Sequence, residues 1–185
     1  MRRTRGFSLN DLFLSLHLLG SANALASQMN LIDPIDASFR IMRGKKRKLD
    51  LMKLVQDQLT IYSFQSIHWG LASDFGPRNS WGNFLRVAYG LPTYSGKIEY
   101  LAPEVEAPKT FCSMKKDCLQ CSSDVSKAED TWTTITSEEI HTVLACNLKK
   151  ISSDICAAPF SHLCDGLIEL VVIESCTRAQ LLALT

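Results

Sequence analysis

The chain has 185 residues, of which 46% are hydrophobic and 21% are charged, and its formal net charge is +1. These values are typical of a globular domain with a core and exclude a disordered chain. The small net charge gives no general reason to bind nucleic acid, and no apolar run approaches the ~20 residues that span a bilayer. The one basic cluster, Arg43-Gly-Lys-Lys-Arg-Lys48, favours either a solvated turn or contact with phosphates and anionic lipid heads.

The N-terminus and the cysteines bear on the cellular compartment. Residues 1–5 are basic and residues 12–19 are apolar, as in a secretion signal, but Asn10 and Asp11 lie at the start of the apolar stretch. The seven cysteines all lie at or after Cys112. An odd number argues against a framework in which every cysteine is paired in a disulfide. We therefore expect reduced cysteines and a cytoplasmic protein, with secretion as the alternative.

The predicted elements begin with a helix and continue with short strands. Residues 8–30 are rich in Leu, Ala, Met and Gln and contain no proline, which predicts a helix that ends before Pro34. Short strands are predicted at 37–42, 49–55, 58–71, 97–101, 132–135, 140–147, 155–157 and 167–174. A Gly-Lys-Lys turn would join the first two as a hairpin, and Asp165-Gly166 is a second hairpin signal.

Two segments are predicted to be loops. Glycines and prolines in residues 75–91 predict a loop with at most a short helix over 83–88. Residues 102–129 are polar, with two prolines, and predict a long, exposed, flexible loop.

Many short strands at close spacing predict an α+β, mainly β fold, arranged as an antiparallel β-sandwich.

Two segments have the residue types of a ligand site. Gly20-Ser-Ala-Asn23 is a turn of small residues before a helix, where backbone N–H groups suit phosphate, although tight packing is the alternative. In the predicted strand 58–71, alternation puts Tyr62, Phe64, Ser66 and His68 on one face. Aromatic walls with a hydroxyl suit an amphiphile. The alternative is a buried strand followed by a turn that begins at Asp74.

The spacing Cys112-x5-Cys118-x2-Cys121 can bind zinc if a fourth ligand exists. No histidine is near these cysteines in sequence, since His141 and His162 are distant. The alternative is a reduced and flexible loop.

Three segments resemble sphingosine kinases, within the diacylglycerol-kinase-like lipid kinases, and occur in that family's order. They are Gly20-Ser-Ala-Asn-Ala-Leu-Ala26, Tyr62-Ser-Phe-Gln-Ser-Ile-His-Trp-Gly-Leu-Ala-Ser-Asp74 and Thr93-Tyr-Ser-Gly-Lys-Ile-Glu-Tyr-Leu101. The resemblance implies transfer of the γ-phosphoryl group of ATP, with Mg²⁺, to the primary hydroxyl of a sphingoid base. It also implies that residues 1–36 are a helical remnant of an α/β nucleotide-binding domain, and that residues 37–185 are the β-sandwich that binds the lipid.

The resemblance also implies roles for single residues. Those expected at the nucleotide are Gly20, Ser21, Asn23, Arg78 and Arg86, and those expected at the lipid are Phe64, Ser66, Leu71 and Asp74. Two positions depart from the family pattern. Ala22 replaces the second glycine of the turn, and Gly76 replaces the acid that holds the sphingoid ammonium.

The catalytic base is not among these residues. In the family it comes from a region before the Gly20 turn that includes a Ser-Gly-Asp-Gly nucleotide loop, and residues 1–19 contain no such motif. We therefore expect a chain that covers mainly the lipid-binding part of such a kinase and contacts membranes peripherally. The cysteines and Gly76 favour ceramide kinase as the rival branch, and diacylglycerol kinase is a further one. A non-catalytic lipid-binding or regulatory module is the alternative from a different class.

Overall fold

A computed structural model describes residues 23–31, 33–44, 47–74, 90–103, 110–113, 118–122, 128–177 and 179–180. The chain forms two compact units, each built from several segments. The first unit comprises Met1–Ser66, Pro108–Val125 and Cys146–Ile168, and the second comprises Ile67–Ala107, Ser126–Ala145 and Glu169–Thr185. The predicted domain boundary between residues 36 and 37 stays a prediction.

The helices are short. They are α1 (Ala24–Gln28), α2 (Pro34–Met42), α3 (Leu71–Asp74) and α4 (Leu119–Ser122). The helix predicted over residues 8–30 is confirmed at α1, the part that falls among the described residues. Within those residues, no helix reaches the length and hydropathy needed to cross a bilayer.

Helix α2 replaces the strand predicted over residues 37–42, which is wrong. Asp33 caps the helix, because its carboxylate accepts a hydrogen bond from the Ile35 N–H at 3.0 Å. Pro34 occupies the first turn, where its fixed φ suits a helix and its absent N–H costs nothing. Asp36 and Arg40 form an i, i+4 ion pair at 3.0 Å. The hairpin predicted through Gly-Lys-Lys is therefore also wrong.

The first unit contains one two-stranded antiparallel sheet, β1 (Met52–Gln56) and β2 (Leu59–Ser63). The register pairs Met52 with Ser63 and Gln56 with Leu59, so a two-residue turn joins the strands. Asp57 in that turn has φ +51°, a left-handed conformation that aspartate tolerates better than most residues. The strand predicted over 49–55 is thus confirmed in its second half.

The strand predicted over 58–71 is interrupted. The prediction that it forms one continuous strand, with alternate side chains on a single face, is therefore wrong. Strand β2 ends at Ser63, and β3 (Ser66–Gly70) follows after a break at Phe64 and Gln65. Asn147 holds the two backbone carbonyls at this break. Its side-chain amide donates a hydrogen bond to the Phe64 carbonyl, and its backbone N–H donates one to the Gln65 carbonyl. Because the chain leaves the strand conformation there, alternation does not carry from Tyr62 through to His68.

The larger sheet has the order β3-β5-β4, with β6 (Glu169–Glu174) also paired to β5. Strand β5 (Ala128–Cys146) is one strand of 19 residues, so the separate strands predicted at 132–135 and 140–147 are parts of it. Strand β4 (Tyr94–Pro103) runs antiparallel to β5 and alternates between half-buried and exposed side chains. This alternation is typical of a strand with one face in solvent.

The α+β, mainly β class is confirmed, since the strands are mostly antiparallel and the helices are few and short. The strands predicted at 97–101 and 167–174 correspond to β4 and β6. The strand predicted at 155–157 is wrong, and Asp165-Gly166 is a bend with no strand before it rather than a hairpin. The face-to-face sandwich stays a prediction.

The core of the first unit contains cysteines as well as aliphatic side chains. Its buried members are Leu25, Cys112, Cys118, Leu148 and Leu163. Half-buried side chains pack against them, namely Met29, Leu49, Phe64 and Cys121. Residues from the predicted loop 102–129 therefore contribute to a core.

Candidate functional site

Of the residues predicted at the nucleotide, only Asn23 is described. Gly20, Ser21, Arg78 and Arg86 lie outside the described residues. Asn23 caps α1, and its Oδ1 accepts a hydrogen bond from the Ala26 N–H at 3.0 Å. The predicted helix start is thus present at this position, and contact between Asn23 and a phosphate stays a prediction.

The residues predicted at the lipid lie in different surroundings. Phe64 packs on the core of the first unit, and the Ser66 carbonyl accepts a hydrogen bond from the Ser63 hydroxyl at 3.1 Å. In the second unit, Leu71 is 2% exposed. Asp74 ends α3, and its side chain lies outside the description. Lipid contact at these four positions stays a prediction.

The first unit brings together four side chains with the chemistry of metal ligands: Cys112, Cys118, Cys121 and His162. Their ligand atoms all lie within 4.8 Å of one another. Cys112 and Cys118 are each 6% exposed and His162 is 2% exposed. The expectation of an exposed loop is therefore wrong at Cys112 and Cys118, whose side chains are buried, and the flexibility of the loop stays a prediction.

His162 is the ligand that the sequence did not reveal. It lies 41 residues after Cys121, and only the fold places the two side chains together. His141, the other histidine considered, has a different environment, because its Nδ1 lies 2.9 Å from the Pro92 carbonyl.

Several distances within the cluster are short. Cys112 Sγ lies 3.9 Å from Cys121 Sγ. His162 Nδ1 lies 3.4 Å from Cys118 Sγ and 3.7 Å from Cys121 Sγ. One imidazole nitrogen thus contacts two sulfurs at once, and the cysteines are unbridged.

Hydrogen bonds fix the orientation of the His162 ring. Its Nε2 lies 3.0 Å from the carbonyl oxygen of Thr110, which can only accept. Nε2 therefore carries the proton, and the lone pair of the neutral ring is on Nδ1, facing the sulfurs.

A chain of polar groups, of which Gln120 and Asp165 are buried, supports the same region. The Thr110 hydroxyl donates to Gln120 Oε1 at 3.1 Å, and Gln120 Nε2 donates to Asp165 Oδ2 at 2.9 Å. Asp165 Oδ1 in turn accepts from the Leu167 N–H at 3.0 Å. The segment at 110–121 is thereby tied to the segment at 162–167 by polar contacts around the cluster.

The environments of the sulfurs shift their proton affinities in opposite directions. Burial raises the pKa of Cys118, but hydrogen bonds, led by those with the backbone of Cys121 and Ser113, bring it down to about 6. Burial raises the pKa of Cys121 above its usual range, and burial also raises the pKa of Cys164. The thiolate form is therefore favoured at Cys118 and disfavoured at Cys121 and Cys164.

The described residues form a two-stranded and a four-stranded sheet, and they bring together the cysteine–histidine cluster. No protein-family model matches the chain. It is similar to two curated proteins of Arabidopsis thaliana, both named sphingosine kinases. It is 26% identical over 168 residues to sphingosine kinase 2 and 26% identical over 192 residues to sphingosine kinase 1. The matches cover 80% and 89% of this chain but 35% and 39% of the relatives. The chain is thus similar to sphingosine kinases at low identity and spans little more than a third of the length of these two relatives.

Proposed function

We propose that this chain is the lipid-binding part of a sphingosine-kinase-like lipid kinase, whose reaction transfers the ATP γ-phosphoryl group to the primary hydroxyl of a sphingoid base. The observation that supports this is the similarity to two sphingosine kinases along four fifths or more of the chain. The order of the three resembling segments agrees with it.

In this proposal the chain positions substrates rather than reacting with them. ATP supplies the phosphoryl group, and Mg²⁺ would neutralise charge on its phosphates. The turn at 20–23, with Arg78 and Arg86, would face the nucleotide. Because Asn23 Oδ1 already accepts the Ala26 N–H, contact of Asn23 with a phosphate would come from its amide nitrogen. Holding the hydroxyl close to the phosphate accounts for much of the rate enhancement in such reactions.

The test is phosphoryl transfer from labelled ATP to sphingosine in the presence of Mg²⁺, with ceramide and diacylglycerol in parallel. We expect the chain to bind sphingosine in preference to ceramide and diacylglycerol, and any transfer that it supports to go to sphingosine. Preference for ceramide or diacylglycerol would place the chain in that branch instead. Sphingosine binding without transfer to any lipid would make the chain a non-catalytic lipid-binding module, and absence of both would contradict the proposal.

Asp74 offers a sharper test of the lipid site. A carboxylate near the sphingoid ammonium would form a charge-assisted hydrogen bond, worth about 1.5–3 kcal/mol. Asp74→Asn is therefore expected to weaken sphingosine binding about 10-fold or more, with little effect on binding of an uncharged lipid such as ceramide. Binding is measured by fluorescence titration with a labelled sphingosine.

The matched control is Asp57→Asn, the same change in the exposed turn between β1 and β2. It should leave sphingosine binding unchanged. Equal losses in the two variants would mean that general charge, rather than a contact at Asp74, attracts the lipid.

We also propose that α2 contacts the membrane surface. Ile35, Phe39 and Met42 lie on one helix face at i, i+4 and i+7, and they are 66%, 53% and 72% exposed. The exposed basic residues Arg43, Arg47 and Lys48 follow this face in the chain. An apolar helix face beside basic residues suits the interface of an anionic membrane.

This second proposal is tested by co-sedimentation with vesicles of phosphatidylcholine and phosphatidylserine. Because a buried Phe contributes roughly 1.5–3 kcal/mol, Phe39→Asp should lower the partition coefficient about 10-fold or more. Val55→Asp, at an exposed position of β1, is the control and should bind like the unaltered chain. Binding that is insensitive to phosphatidylserine and to Phe39→Asp would contradict a membrane role for α2.

A further inference from the structure

We propose that Cys112, Cys118, Cys121 and His162 bind one structural Zn²⁺ ion through three thiolates and the Nδ1 of the imidazole. The four ligand atoms converge from two chain segments, with every pair within 4.8 Å. All four residues belong to the first unit.

The distances match a tetrahedral zinc site. With Zn–S near 2.3 Å and Zn–N near 2.0–2.1 Å, a tetrahedron places two sulfurs about 3.8 Å apart and a sulfur and a nitrogen about 3.6 Å apart. The observed values are 3.9 Å between Cys112 and Cys121, and 3.4 Å and 3.7 Å from His162 Nδ1 to Cys118 and Cys121. A disulfide would need its sulfurs at about 2.05 Å and would leave the imidazole without a role.

The ligand set selects the metal. Three soft thiolates and an imidazole suit Zn²⁺, whereas Mg²⁺ and Ca²⁺ prefer oxygen ligands. Four protein ligands leave no position for water or substrate, which is typical of structural rather than catalytic zinc. The cation would hold all three sulfurs as thiolates.

The surroundings have the features of a metal site's outer shell. The ring proton on His162 Nε2 is held by the Thr110 carbonyl, which leaves Nδ1 as the ligand atom. Backbone groups of Cys121 and Ser113 hydrogen bond to Cys118, and a backbone group of Cys164 hydrogen bonds to Cys121. N–H groups directed at sulfur stabilise a thiolate in a buried site.

Two other roles for the cluster fit less well. Buried cysteines often act as small apolar side chains, but apolar packing does not explain an imidazole nitrogen in contact with two sulfurs. A nucleophilic cysteine–histidine pair would need access to substrate, and Cys118 and His162 are 6% and 2% exposed.

Bound zinc would fasten the segment at 112–121 to the segment around His162. These segments contribute Cys112, Cys118 and Leu163 to one core, so loss of the metal should loosen that core. We therefore expect the chain as purified to contain about one Zn²⁺ per molecule, and chelation to lower its melting temperature and expose residues 110–122 to protease.

The experiment measures zinc by elemental mass spectrometry, together with the absorption spectrum after Co²⁺ replacement. We expect a thiolate-to-Co²⁺ charge-transfer band and intense d–d bands of a tetrahedral S₃N site. Cys121→Ser and His162→Ala should lower zinc affinity at least about 100-fold, more than the 10–100-fold that outer-shell changes cost. His162→Cys should retain zinc and shift the Co²⁺ spectrum toward S₄, so a ligand variant remains informative if His162→Ala fails to fold.

The matched control is Cys164→Ser. Cys164 is half-buried and lies next to the cluster, with its thiol directed at the Cys121 carbonyl at 3.7 Å, but it is not one of the four ligands. It should retain stoichiometric zinc. A folded chain without zinc and without a thiolate–Co²⁺ band would overturn the proposal, as would a Cys112–Cys121 disulfide found by peptide mapping. Complete zinc loss in Cys164→Ser would overturn the ligand assignment.

Discussion

Gly70→Ala is expected to destabilise the chain by about 2–5 kcal/mol, because a left-handed backbone and a backbone clash coincide at this residue. Gly70 ends β3 with φ +79°. A Cβ there would lie 2.7 Å from the His141 carbonyl oxygen and 3.3 Å from Thr142 Cα. Both atoms belong to the backbone of β5, which is fixed by its pairing with other strands and cannot turn aside as a side chain could.

The measurement is the free energy of unfolding from urea titration, compared with that of two control variants. Gly44→Ala introduces the same conformational strain at φ +59° with nothing within 4 Å, so it should cost about 1–2 kcal/mol. Gly96→Ala meets side-chain atoms at 3.5 Å and 3.6 Å, an ordinary contact, and should change stability by less than about 1 kcal/mol. If Gly70→Ala costs no more than Gly44→Ala, the close approach of β3 to β5 is not as described.

The parts of the fold that sequence predicts well are those with a regular local pattern. Strand β4 alternates in burial along its whole length, and β6 is a continuous apolar run with β-branched residues. The sequence predicts two strands where β5 is one, and the polar residues Ser137, Glu138 and Glu139 lie between the two predicted strands. These residues lie within the strand, where Glu138 and Glu139 are exposed, and polar side chains on an exposed face do not end a strand.

The start of helix α2 is a local signal that can be interpreted in two ways. The sequence predicts that the preceding helix ends before Pro34, but Asp33-Pro34 also begins a new helix. The N-cap, the proline in the first turn and the i, i+4 pair of Asp36 and Arg40 were all present in the sequence. Capping and spacing decide the structure here.

For the cysteine–histidine cluster, the sequence predicts the three cysteines but not the histidine, and the reason is different. The spacing of Cys118 and Cys121 is a local signal, whereas the pairing with His162 depends on the path of the chain between them. Likewise, the break between β2 and β3 depends on Asn147, which comes more than eighty residues later. Contacts that are distant in sequence leave no periodic pattern, so only the fold reveals them.

Asn147 is expected to be the polar side chain on which the first unit depends most. It is 1% exposed, and its Nδ2 donates to the Asp50 carbonyl at 2.6 Å and to the Phe64 carbonyl at 3.0 Å. Asn147→Ala would remove the hydrogen bonds to both carbonyls and leave a cavity in place of the amide. At about 0.5–1.5 kcal/mol for each lost hydrogen bond, and with the added cost of the cavity, the expected loss of stability is about 2–4 kcal/mol.

Asn147→Asp keeps the shape and removes both donors, so it separates hydrogen bonding from packing. Carboxylate oxygens would face two carbonyl oxygens in a buried site, which raises the pKa of the introduced acid because its charged form is disfavoured. Since the folded state then binds the proton more tightly than the unfolded state, the variant should be least stable at high pH and recover as pH falls. Urea unfolding between pH 5 and pH 8 measures this, with Asn30→Asp, at an exposed position, as the control. An Asn147→Asp chain that matches the unaltered chain across this range would show that Asn147 does not hold the two carbonyls.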